Sequence, residues 1–87
     1  MSITITNFVF TPRFFTVSKG TTVTWTNRDP TPHQVINDPI GGYGLGQLFR
    51  SSPLGTGETY SFTFTSTGQF PFHCNIHPSM TGKITVQ

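Results

Sequence analysis

Four side chains could do chemistry together. The run Phe72-His73-Cys74-Asn75-Ile76-His77-Pro78-Ser79-Met80 places a thiol, an imidazole and a thioether in the order Cys-x-x-His-x-x-Met, and a second imidazole, His33, stands far upstream. Two His and one Cys around a metal, with a weak and distant Met on the axis, is the donor set suited to a copper ion that exchanges single electrons. Cu(I) favours soft ligands and low coordination, whereas Cu(II) favours nitrogen. A site held between those preferences changes little when an electron moves. Cys74 and His77 are too close in sequence to separate, and Pro78 suits a tight turn that brings Met80 to the same point. His33 must be delivered by the folding of the sheet, so the site would rest on a scaffold.

Each residue taken alone has a plainer reading. A lone buried Cys is usually a small core hydrophobe, a lone His is more often structural or exposed, and a single Met fills gaps. The pattern of all four carries the copper reading. His73 has opposite strand parity to Cys74 and is expected on the surface, and Met1 is set aside as a ligand because termini fray. A Cys-His hydrolase would use Cys74 and His77 as nucleophile and base, but no orienting acid is evident and the thiol sits on a core-facing parity. No catalytic residue is therefore assigned, and an enzyme is not expected. Zinc could enter the same donors, yet copper outcompetes it on affinity.

The elements that must position these donors read as strands. The chain has 87 residues, with nine Phe, no Ala and three Leu, and Thr, Val and Ile make up 27 positions. Such side chains suit a pleated, half-buried surface, and nine Gly and seven Pro imply many turns. Ser2 to Thr6 alternates and reads as an edge strand. Phe14 to Val17 is a second short strand. Thr21 to Asn27 is the clearest, with Val23 and Trp25 on one face and Thr22, Thr24 and Thr26 on the other; that alternation suits an antiparallel sheet with one wet face. Pro30 and Pro32 stiffen the approach to His33, and His33 to Ile36 can form another strand. Positions 37–57 read as a glycine-rich loop carrying Tyr43, Leu45, Leu48 and Phe49, either functional or covering a sheet edge. Tyr60, Phe62 and Phe64 alternate. Phe70, Phe72 and Cys74 share one parity, as do Ile84 and Val86. Seven or eight short strands at this spacing predict an all-β domain over 1–87, a two-sheet sandwich or a closed barrel.

Composition excludes several functions. The net charge is only +2 and no Lys/Arg cluster exists, so nucleic acid is not an expected partner. One Cys rules out an internal disulfide, multi-cysteine zinc sites and a two-thiolate dinuclear copper centre. No stretch approaches the roughly 20 apolar residues of a membrane span. No signal peptide is evident; Met1 either replaces a removed leader or opens a domain of a longer protein.

The residues resemble the cupredoxins, the type 1 blue copper proteins, and within them the amicyanin and plastocyanin branch. The likeness runs through Gly20-Thr21-Thr22-Val23-Thr24-Trp25-Thr26-Asn27, Asp29, Pro32-His33, Phe62-Thr63-Phe64, Gly68 to Cys74 and Met80-Thr81-Gly82-Lys83-Ile84-Thr85-Val86. The short Cys-x-x-His-x-x-Met loop is similar to that of amicyanins. The resemblance implies a Greek-key β-sandwich with one type 1 copper at one end, His33, Cys74 and His77 as equatorial ligands and Met80 as the axial one. It implies a monomeric electron carrier in a periplasmic or other extracytoplasmic space, with redox partner proteins docking on an apolar patch near His77. Copper delivery or storage on the same ligands is the alternative function. Where that family commonly has Asn after the first His, this chain has Gln34. Its backbone N–H can still donate to the Cys74 sulfur, but the side-chain tie between the ligand loops is expected to loosen. The glycine-rich 41–46 stretch has no counterpart in the family pattern.

Overall fold

The computed structural model describes residues 1–87. Its eight strands are β1 (Ser2–Thr6), β2 (Val9–Thr11), β3 (Phe14–Val17), β4 (Thr22–Asn27), β5 (Val35–Asn37), β6 (Thr59–Thr63), β7 (Gly68–Cys74) and β8 (Thr81–Val86). They form two sheets, ordered β2-β1-β4-β6 and β3-β8-β7-β5, so the chain is the expected all-β sandwich.

The period-two pattern explains the packing. Ile3, Ile5, Val23 and Trp25 from one sheet meet Val35, Phe70, Phe72, Cys74, Ile84 and Val86 from the other in a single buried cluster. Trp25 is its centre. Its ring lies 5.6 Å from Phe49, 5.7 Å from Tyr60 and 5.5 Å from Phe72. The Thr residues of β4 point the other way, and Thr22 and Thr24 hydroxyls bond to Thr63 and Ser61 across the strand pair at 2.7 Å.

Three expectations need correction. β1 is not an edge strand: β2 folds back over it through the two-residue turn Asn7-Phe8, pairing Thr6 with Val9, and β4 covers its other side. β4 does not lie in a purely antiparallel sheet, because it runs parallel to β1 and antiparallel to β6. Thr alternation reports a wet face and carries no information about strand direction. The strand after His33 begins at Val35, while His33 itself makes an isolated bridge to Leu54.

The 38–58 segment covers an edge. Leu54 exchanges two backbone bonds with His33, and Ser51 donates to the Val35 carbonyl at 2.8 Å, so this segment supplies the partner that β5 lacks on its outer side. Phe49 and Leu54 are buried in the core, whereas Tyr43 and Leu45 are exposed. The buried Asn37 organises the segment. Its Oδ1 accepts from the amides of Leu48 and Phe49, and its Nδ2 donates to the carbonyls of Asp38 and Gly44.

One close approach fixes the floor under Cys74. A Cβ on Gly82 would lie 2.5 Å from the Phe72 ring and 2.9 Å from the Arg13 carbonyl. Gly82 pairs with Phe72 in the β7–β8 ladder, so only glycine lets that ring lie flat on the neighbouring strand.

Candidate metal centre

Three chain segments meet at one end of the sandwich. His33 ends the β4–β5 connection, Cys74 ends β7, and His77 and Met80 belong to the β7–β8 turn. That turn is closed by its own backbone: Met80 donates to the His77 carbonyl at 2.9 Å and Cys74 donates to the Met80 carbonyl at 3.0 Å. Register carries the upstream segment to it, because Val35 pairs with Cys74 and Asn75 donates to the Gln34 carbonyl at 2.9 Å.

The result is a compact donor cluster. Cys74 Sγ lies 3.6 Å from His33 Nδ1 and 3.9 Å from His77 Nδ1, and the three donor atoms fall within 4.8 Å of one another. Bonds of about 2.0–2.3 Å from a common centre in a trigonal plane separate nitrogen from sulfur by about 3.8 Å. The spacing and the soft-plus-imidazole chemistry of these donors therefore fit a copper-sized ion. His33 and Cys74 are fully buried and His77 is partly exposed. Met80 is 4 % exposed and packs into the core cluster, so its thioether is shielded from solvent at the same end of the molecule.

The surrounding bonds fix the donors. His33 Nε2 lies 2.8 Å from Asp29 Oδ2. An ionised carboxylate only accepts, so Nε2 carries the proton and the Nδ1 lone pair is left facing the sulfur. Asp29 also accepts from the amides of Asn7 at 2.7 Å and Phe8 at 2.9 Å. Burial pushes its carboxyl up, but the Phe8 amide, the His33 imidazole and the Asn7 amide outweigh that and hold it below the usual carboxylate range. Asn27 shapes the approach to His33: its Nδ2 donates to the Thr31 and Leu54 carbonyls and its Oδ1 accepts from the Asp29 amide. The Gln34 amide donates to Cys74 Sγ at 3.4 Å.

The side-chain tie expected to loosen at Gln34 is present. Gln34 Nε2 donates to the Ser51 carbonyl at 2.8 Å, and its Oε1 accepts from Asn75 Nδ2 at 3.2 Å. The extra methylene relative to Asn lets one amide span the edge segment and the β7–β8 turn. His73 also departs from expectation. It is partly buried and its Nδ1 pairs with Asp38, because β5 and the following residues close over that face of β7. Sequence reasoning missed the roles of Asn27 and Asp29. The signal available was their position at the end of β4 and at the start of the Pro-rich segment ahead of His33, where buried turns need polar side chains to satisfy the backbone.

Comparison with known proteins agrees with this geometry. A profile of copper binding proteins of the plastocyanin/azurin family matches residues 1–87. The chain is 42% identical over 72 residues to amicyanin of Paracoccus denitrificans, covering 82% of this chain and 53% of that protein. It is 37% identical over 84 residues to chloroplastic plastocyanin of Oryza sativa subsp. indica, covering 90% and 54%. The chain thus spans about half the length of these two relatives. Among solved structures, a purple cupredoxin from Nitrosopumilus maritimus superposes with a TM-score of 0.89 at 34% identity, over 99% of this chain and 98% of that one. With this donor cluster at the end of this sandwich, the chain belongs to the plastocyanin/azurin family of copper-binding proteins, the cupredoxins.

Proposed function

We propose that His33, Cys74, His77 and Met80 would together hold one copper ion, and that this domain, 1–87, carries single electrons between redox partners. The bound metal supplies the Cu(I)/Cu(II) couple. The protein supplies rigidity: the donor atoms of His33, Cys74 and His77 are gathered by strand register and by bonds from Asp29, Gln34 and the turn backbone, so little has to move when charge changes. That preassembled trio, with sulfur-to-nitrogen distances of 3.6 and 3.9 Å, is the observation that carries the proposal.

His77 gives the route outward. It is the donor that reaches the surface, between exposed Ile76 and exposed Phe8, and a partner protein docking there would meet an apolar patch with no nearby charge cluster. Full burial of His33 and Cys74 favours retention over handover, and so favours electron transfer over copper delivery. The periplasm or another extracytoplasmic space is the setting we infer, and the working unit is a monomer.

Adding Cu(II) to the metal-free protein should produce the intense visible absorption of a thiolate-to-copper charge transfer, and Cys74→Ser should abolish it. A colour that survives this substitution refutes the assignment.

A further inference from the structure

The turn between β1 and β2 is built in a way that folding alone does not require. Its two central residues, Asn7 and Phe8, both have positive φ, 53° and 61°. A two-residue hairpin turn of this hand is normally made by Asn-Gly, because a bulky side chain is strained there. This chain places Phe at the position where glycine is the easy choice, and the strained backbone is held by Asp29, whose Oδ1 and Oδ2 accept the two turn amides.

The side chain that the strain supports lies on the metal centre. The Phe8 ring meets the His33 ring edge-on at 5.0 Å and the His77 ring edge-on at 4.7 Å, while the two imidazoles are 5.1 Å apart. The Phe8 ring therefore spans both imidazoles, although the residue is 45 % exposed. Asp29 Oδ2 accepts from both the Phe8 amide and His33 Nε2. One carboxylate oxygen thus ties the orientation of the buried imidazole to the placement of the ring that packs on the exposed one.

Resting on the copper reading above, we propose that Asp29 and Phe8 form a clasp that positions both imidazoles: Asp29 fixes the His33 tautomer, and Phe8, pinned by Asp29, holds His77 in place and keeps water from its flank. No bond to another side chain restrains the His77 ring apart from its approach to Cys74, so ring packing, against Phe8 at 4.7 Å and His33 at 5.1 Å, is its lateral restraint. Phe8 and Asp29 are positioning residues. Strain at the turn is retained because the ring it presents is useful there.

The test separates this role from folding. Phe8→Gly relieves the positive-φ strain and removes the ring. The metal-free variant should resist urea at least as well as the parent chain, yet the copper-loaded variant should release Cu(I) to a soluble chelator about tenfold faster. Phe8→Tyr keeps the ring and should release at the parent rate. Release by Phe8→Gly less than about fivefold faster than the parent overturns the Phe8 half of the clasp. In the metal-free parent, nitrogen NMR of His33 should show the proton on Nε2, and Asp29→Asn should reduce that preference; an unchanged tautomer overturns the Asp29 half. If the parent chain gives no thiolate-to-copper absorption, the copper reading itself fails, and the metal-free tautomer measurement still decides for or against Asp29.

Discussion

The two imidazoles of the centre are held by opposite means. His33 is fully buried, bridged through its backbone to Leu54 and bonded through Nε2 to a buried carboxylate. His77 sits in a turn whose neighbours Asn75, Ile76, Pro78 and Ser79 are exposed; its carbonyl accepts from the Met80 amide, and its ring is located by packing and the nearby sulfur. The difference shows a division of labour within one donor set. The upstream side is part of the folded interior and fixes one donor in place. The downstream side is a short surface turn that carries the other imidazole to the edge of the molecule.

Removing the two rings should expose this contrast most strongly. His33→Ala removes the imidazole partner of the buried Asp29 carboxylate, which keeps only the Asn7 and Phe8 amides, and opens a hole in the interior, and should cost the metal-free protein about 2–4 kcal/mol in urea unfolding. His77→Ala should cost less than about 1 kcal/mol, as expected for a partly exposed turn residue. Equal losses would break the comparison. The upstream side should also carry a pH signature. The Asp29 carboxyl lies below its unfolded value, about 3.9, so its stabilisation is complete above that value and is lost as pH falls through the lower folded value. Urea midpoints of the metal-free protein at successively lower pH should show the loss, and Asp29→Asn should flatten that part of the curve.

A second substitution asks whether the downstream donors depend on the sheet beneath them. Gly82→Ala forces a methyl group against the buried Phe72 ring and the Arg13 carbonyl, and should cost about 1–3 kcal/mol through overpacking. Because Phe72 and Cys74 share one face of β7, the copper absorption should shift with it; a spectrum unchanged in position and intensity would mean the turn is independent of its floor. The link between the two sides is smaller. Gln34→Ala removes the bonds to the Ser51 carbonyl and to Asn75 and should cost about 1–2 kcal/mol. Asn75→Ala removes only the part-buried 3.2 Å side-chain bond to Gln34 from a residue that is itself exposed and should cost about 0.5 kcal/mol. A thermal melt that ranks Asn75→Ala above Gln34→Ala would reverse the assignment of the anchoring side.

Strand positions were legible because alternation is local. Val23 and Trp25, or Phe70, Phe72 and Cys74, declare their buried face by parity alone, and parity also put the Cys74 thiol inside. What parity could not give was neighbours. β1 looked like an edge because nothing in Ser2–Thr6 records that β2 folds back on it, and β4 looked antiparallel because side-chain alternation is the same in either direction. His73 was expected on the surface by the same logic, yet the chain after β5 closes over it and supplies Asp38.

The sequence by itself determined which candidate donors are present and their order, since Cys-x-x-His-x-x-Met keeps three of them within one short turn. It also determined the two-sheet character, through Thr, Val, Ile and Phe at period two. Only the tertiary structure decided that His33 turns Nδ1 toward the sulfur, that Gln34 reaches Asn75, and that a strained Phe8 lies across both imidazoles. Gln34 and Phe8 depend on residues far away in the chain, Ser51, Asn75 and Asp29, whereas Asp29 stands only four positions before His33 and is turned toward it by the buried connection. Such contacts arise from the way register brings separate segments together, and no local pattern records them.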